Sequence, residues 1–186
     1  MKKKITLIVP IILCMAFTIL PENKTLIYWT SGVKLEWKDF QGTPEQNTVE
    51  LAATDYSVSY SMHAFSDGLR ITLKTAFNKQ SSWTRDTTDK FLLIHEIGHF
   101  NLAEVYARKM RRELLSVNFK YDSVSQQFNK VYTKYYALLN NEQDAYDFIT
   151  NFSNNHLSQK IWTARIDSMV QSMDDYKDTV LHVKIY

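Results

Sequence analysis

Three observations predict an α+β fold, with an N-terminal antiparallel sheet followed by three helices. Short segments of period-two alternation occupy residues 21 to about 85, and the hydrophobic pattern turns helical from Asp86 onward. No Gly follows Gly98, and no Pro follows the switch. Strands first and helices after is the order of an α+β domain. The 186 residues are 45% hydrophobic, which suits one domain with a real core. With only 4 Gly and 3 Pro, the chain is neither collagen-like nor linker-rich.

The first segment is not part of that domain. Lys2–Lys4 precede a run from Ile5 to Leu20 whose only polar residues are Thr6 and Thr18. A short basic stretch before an apolar run is the pattern of a secretory signal over residues 1–20, with small residues suited to cleavage after Ala16. Kept uncleaved, it is an N-terminal anchor, although 16 residues with Pro10 inside are short for a spanning helix. The expectation is an exported protein, periplasmic or extracellular, with residues 21–186 as a single domain and membrane contact only through this segment. Setting residues 1–20 aside leaves 19 Lys and Arg against 20 Asp and Glu, a net charge of −1, and removes the one cysteine. No basic field remains for nucleic acid. Disulfide scaffolds and multi-thiolate zinc sites are excluded as well. The five histidines are the pool for any transition-metal site.

Along the domain, Leu26–Trp29 and Val33–Trp37 flank a Ser31-Gly32 turn and read as strands. Gln41–Pro44 is a loop. Tyr56–Tyr60 and Leu69–Leu73 alternate with period two and form a hairpin through Ser66-Asp67-Gly68. Asp86–Asp89 supplies N-caps for a helix running to about Val117. On it Arg108, Lys109, Arg111 and Arg112 read as a solvated face. A second helix runs from about Ser123 to Phe152, Asn154-Asn155 breaks the pattern, and a third covers roughly Leu157–Met173. Val180–Tyr186 is a closing strand.

The first helix carries His95-Glu96-Ile97-Gly98-His99. Two histidines four residues apart lie about 40° from one another on one helix face, so both imidazoles reach one metal ion. Glu96 projects roughly 100° from His95, where a carboxylate approaches a metal-bound water. This is the HExxH arrangement of zinc metallopeptidases, and it predicts Zn²⁺ on a zincin-like active-site helix with Glu96 as general base. The motif lies in an apolar helix, where burying two His and a Glu without partners costs several kcal/mol. Gly98 in the helix interior costs about 1 kcal/mol relative to Ala and signals a close approach by backbone or substrate.

A third ligand is needed. The position that would carry a third His after the motif is Val105, and Glu104 lies about 180° round the helix from His95, placed to pair with Arg108 instead. On the second helix, Phe128, Val131, Tyr132, Tyr135, Leu138, Leu139, Ala145, Tyr146 and Ile149 form an apolar stripe with Glu142 at its centre. A carboxylate on a buried face needs a partner, and a metal is one. Asp147, about 140° from Glu142, is the alternative. Tyr146 and His156 are the candidate transition-state stabilisers.

Several separated segments resemble a bacterial family of exported proteins described as predicted zinc-dependent proteases, most of which carry a domain-of-unknown-function label. The matching stretches are Leu35-Glu36-Trp37-Lys38-Asp39-Phe40-Gln41-Gly42, Ala52-Ala53-Thr54, Ser82-Trp83 and His95–Phe100 with Glu104 and Ala107-Arg108. Tyr146-Asp147, Thr150, Gln159 and Trp162 follow. The resemblance implies zinc and a protease-like site, and it favours Asp147 where helix periodicity favours Glu142. Where the family pattern often has a His two places after the Thr, this chain has Phe152.

The functional expectation is zinc-dependent hydrolysis of a peptide or protein substrate, with the Tyr56–Tyr60 strand placed to pair with an extended peptide. The alternative is a non-catalytic envelope protein with a structural zinc site or a sheet that binds a partner.

Overall fold

The computed structural model describes residues 25–66 and 68–186, so the export segment expected at residues 1–20 lies outside the described residues. The architecture is the α+β arrangement expected, with the sheet first and three helices after it. Strand β4 (Gly68–Asn78) is its centre. Strand β3 (Tyr56–Phe65) pairs with it antiparallel along ten positions, from Tyr56 opposite Phe77 to Phe65 opposite Gly68. The other edge of β4 is shared. Strand β1 (Leu26–Tyr28) takes the end near Asn78, and the C-terminal β6 (Val180–Val183) takes the end near Leu69. A separate pair, β2 (Ala52–Ala53) with β5 (Trp83–Thr84), carries Thr54 toward the helices.

The expected strand over Val33–Trp37 does not form. β1 pairs with β4 rather than with that segment, because β6 covers β4 only from Leu69 to Thr72 and leaves its other end open. After Trp29 the chain turns, and Trp37–Asp39 forms a 3-10 turn closed by Glu36 N–H donating to Asp39 Oδ2 at 3.0 Å. Alternation at Val33, Leu35 and Trp37 is satisfied by side-chain packing instead of a ladder. Leu35 and Phe40 are buried against Phe77 of β4 and Phe100, with Trp37–Phe40 and Phe40–Phe77 ring centroids 4.9 and 5.0 Å apart.

The helices are α1 (Lys90–Ser116), α2 (Val124–Thr150) and α3 (His156–Ser172), each within a few residues of its expected bounds. Leu69, Ile71 and Leu73 of β4 face Leu102, Val105, Met110 and Leu114 of α1 in the main core, which α2 and α3 complete with Phe128, Leu139, Trp162 and Ile166. No helix among the described residues is long and apolar enough to cross a membrane.

The arginine cluster is not a solvated face. Arg108 and Arg111 are fully buried around Glu104, itself buried. Glu104 accepts from Arg108 Nε at 2.9 Å, from Arg111 Nη1 at 3.0 Å and from the Thr75 hydroxyl of β4 at 2.7 Å. The same arginines donate to the carbonyls of Val170 at 3.0 Å and Tyr176 at 2.8 Å. One carboxylate therefore ties α1 to the sheet, and its two cations tie α1 to the end of α3 and the turn beyond. Removing that charge leaves Arg111 buried without a counterion and Arg108 with Asp174 alone, at 3.6 Å. Glu104→Gln should lower stability by about 3–5 kcal/mol in urea unfolding. Arg112→Ala, on the exposed side of the same turn, should change it by no more than about 0.5 kcal/mol.

Candidate metal centre

The N-terminal half of α1 is aimed by its cap. Asp89 Oδ1 accepts from the amides of Phe91 at 2.7 Å and Leu92 at 3.1 Å, which fixes the first turn. Leu92, His95, Glu96 and His99 then fall at helix positions i, i+3, i+4 and i+7 and line one cleft. Gln143, Tyr146, Asp147 and Thr150 repeat that spacing on α2, which crosses α1 at Gly98. A Cβ on Gly98 would run into the Tyr146 hydroxyl and lie 2.7 Å from its ring Cζ, so the glycine is what lets the two helices touch.

The hydrogen bonds around the two imidazoles decide which nitrogen of each carries the proton. Gln143 Nε2 donates to the His99 carbonyl at 3.0 Å, so its Oε1 is the atom 2.7 Å from His99 Nδ1. The Tyr146 hydroxyl donates to the His95 carbonyl at 3.1 Å and accepts from Gln159 Nε2 at 2.6 Å, which leaves Gln159 Oε1 3.1 Å from His95 Nδ1. Both Nδ1 atoms must therefore be donors. Both Nε2 atoms turn lone pairs toward one another, 3.1 Å apart, and Asp147 Oδ1 lies 3.0 Å from each.

Three electron-rich atoms thus face one another, and Asp147 Oδ1 is buried with no aligned hydrogen-bond donor. Such a triangle calls for a positive charge at its centre. Without metal that charge is a proton. Burial pushes the His99 imidazole down, but Asp147, Glu96 and the Gln143 oxygen outweigh it and raise it to about 9. Burial likewise works against the Asp147 carboxylate, yet the two histidines hold it well below the usual carboxylate range. The donor set also fits a metal ion. His95, His99 and Asp147 are the group of potential ligands that converges among the described residues. Ligand atoms about 2.0–2.1 Å from a tetrahedral zinc ion sit about 3.3 Å from one another, close to the spacing found here. Each histidine also has the second partner on its far nitrogen that metal-bound histidines use.

Glu96 stands beside this triangle, 2% exposed, with its Oε2 2.8 Å from the Thr54 hydroxyl. Burial raises its pKa, against the pull of the two histidines. The cleft holds about 220 Å³ and is closed on its other sides by residues 50–54, Tyr56 and Phe152. Burial pushes the Tyr56 hydroxyl up to about 12, so it stays protonated at neutral pH.

His95, Glu96, His99 and Asp147 come together. Glu142, put first as third ligand by periodicity, does not join them: it pairs with Arg165 Nη2 at 2.7 Å and accepts from the Tyr106 hydroxyl at 3.1 Å. The buried stripe of α2 runs Phe128, Val131, Tyr135, Leu139, Gln143, Tyr146 and Thr150, one residue off Glu142. Leu138 and Ile149, counted as apolar stripe, are exposed. Tyr146 and His156 do not line the cleft. Tyr146 is buried and stacks on His95 with centroids 4.6 Å apart, and His156 stacks on Phe91 at 3.9 Å. Periodicity missed the roles of Thr54, Tyr56 and Gln143. The signal for the last was a polar set at helical spacing around Tyr146.

A family model described as "Bacterial protein of unknown function (DUF922)" matches residues 20–155, the segment that includes β1 through β5, α1, α2 and all four site residues. No curated protein and no solved structure matches the chain. The chain therefore belongs to the DUF922 family of bacterial proteins of unknown function.

Proposed function

We propose that this protein is a zinc-dependent peptide hydrolase in which His95, His99 and Asp147 hold the metal and Glu96 is the general base. The observation that carries the reading is the triangle of three acceptor atoms with a carboxylate, Glu96, beside it in one cleft. A purely structural ion needs no such group at its side, and structural zinc sites close all four positions with protein ligands. The N-terminal pattern of Lys2–Lys4 and an apolar run supports an exported setting for this activity.

Zinc bound here supplies Lewis-acid polarisation of a carbonyl and lowers the pKa of water from 15.7 to about 7. The chain supplies the proton handling and the geometry. Thr54 occupies Glu96 Oε2, which orients the carboxylate and leaves Oε1 to take a proton and return it to a leaving amine. Its raised pKa brings proton uptake and release closer together in energy near neutral pH. Gln143 and Gln159 keep both imidazoles in the Nδ1–H form, so Nε2 remains the ligand atom. Tyr56, a protonated hydroxyl in the cleft wall, takes the role of hydrogen-bond donor to the developing oxyanion that Tyr146 and His156 are too far turned away to fill.

Two experiments test this. Metal analysis should find one zinc per chain in the wild type and in Glu142→Gln, and little in His95→Ala or Asp147→Asn. Gln143→Leu should lose about 10- to 100-fold in zinc affinity. Full zinc retention by Asp147→Asn, with loss in Glu142→Gln, would reverse the ligand assignment. In assays with a random decapeptide library, Glu96→Gln should keep its zinc and lose about 10²- to 10⁴-fold in turnover. Stoichiometric zinc with no hydrolysis in the wild type would favour a structural role for the metal.

A further inference from the structure

We infer that Leu51, Leu92 and Phe152 form a subsite for a large apolar side chain of the substrate, with Phe152 as its specificity-determining residue. The inference rests on the peptide-hydrolase reading of the same cleft and names the class of residue that cleft accepts.

The cleft lining is of two kinds. His95, Glu96, His99 and Asp147 are its polar part, and Leu51, Phe152 and Leu92, one turn before His95 on α1, contribute large apolar groups. Leu51 and Phe152 remain 47% and 39% exposed, so the mouth of the cleft presents apolar surface that gains from being covered. A volume of about 220 Å³ suits a single large side chain and its peptide group, not a folded partner.

The backbone at Phe152 singles it out. Asn151, Phe152 and Ser153 have φ of 49°, 50° and 73°, three consecutive non-glycine residues in the left-handed region. Asn tolerates that region, whereas a bulky aromatic residue there is an outlier. The turn is held by Asn154 N–H on the Asn151 carbonyl at 3.0 Å and by Asn155 N–H on that of Thr150 at 2.8 Å. Packing in the main cores gives no reason for a phenyl ring at this position, since Phe152 belongs to neither and stays 39% exposed. Its place in the cleft does. The Phe152 amide donates to the carbonyl of Asp147 at 3.1 Å, so the strained residue is fastened to the same turn that carries a proposed metal ligand. Strain of this kind persists where the surroundings impose it, and it concentrates at ligand-binding positions.

The test separates this inference from the reading beneath it. Backbone amide shifts of the Glu96→Gln protein are followed by NMR during titration with N-acetyl-leucinamide, N-acetyl-phenylalaninamide and N-acetyl-glutaminamide. The two apolar amides should shift residues 151–153 and Leu92 saturably, at least about tenfold more tightly than the glutamine amide. Adding Phe152→Gly should weaken that binding at least about fivefold while the protein unfolds at or above its original temperature, because glycine accepts the left-handed backbone. Phe152→Leu should restore the preference. With Glu96 intact, decapeptide cleavage should fall beside Leu, Met or Phe, and Phe152→Gly should flatten that distribution. Equal binding of leucine and glutamine amides, or unchanged affinity in Phe152→Gly, overturns the subsite. Apolar binding at these residues with neither zinc nor hydrolysis supports the subsite and overturns the hydrolase reading instead.

Discussion

Gln143 and Gln159 each hold a carbonyl oxygen against the Nδ1 of a histidine, and the rest of the site depends on that contact. Each glutamine is itself fixed by its amide nitrogen, one on the His99 carbonyl and the other on the Tyr146 hydroxyl. With neither amide free to turn, both imidazoles carry their proton on the far side, and both Nε2 lone pairs meet Asp147. Repulsion among the three acceptors is the physical basis for a cation at their centre. The arrangement also explains Gly98, because Tyr146 reaches the His95 carbonyl only where α1 lacks a side chain.

The scaffold holds this geometry by burying polarity twice. At the site end of α1, polar groups from α2 and α3 surround the histidines. Further along, Glu104, Arg108 and Arg111 lock the same helix to β4, to the end of α3 and to the turn beyond it. Burying these charges is tolerable because each has near partners, and the outcome is one fixed seating of α1. The precision that ligand geometry needs, within a fraction of an ångström, follows from packing a helix that is anchored at both ends. Against this rigidity, three consecutive residues, 151–153, take left-handed backbone in a turn that borders the cleft through Phe152.

Much of this was legible in the sequence. The His95/His99 spacing specifies one face of a helix, whatever surrounds it, and the period-two alternation in 56–60 and 69–73 specifies a hairpin with one buried side. Helix limits followed from the cap candidates in Asp86–Asp89, of which Asp89 is the cap, and from the break at Asn154-Asn155. Reading failed where polar residues turn inward. On α2 the inward face carries Gln143 and Thr150 while Phe148 is 84% exposed, so counting apolar residues rotated the stripe toward Glu142. The resemblance to a protein family favoured Asp147, the carboxylate that the fold brings to the two histidines. Arg108 and Arg111 were misjudged for the same reason: charge usually marks a solvated face, and here it marks a buried network. Val33–Trp37 alternates like a strand, but its apolar side is satisfied by Phe77 and Phe100 without pairing.

Anomalous diffraction at the zinc edge asks outright whether a zinc ion binds among His95, His99 and Asp147. Crystals of protein purified without chelator should show a single strong peak per chain within ligand distance of His95 Nε2, His99 Nε2 and an Asp147 oxygen, with Glu142 still paired to Arg165. A map with no zinc peak there, or one in which Glu142 has replaced Asp147 as the carboxylate ligand, would rule out this metal site.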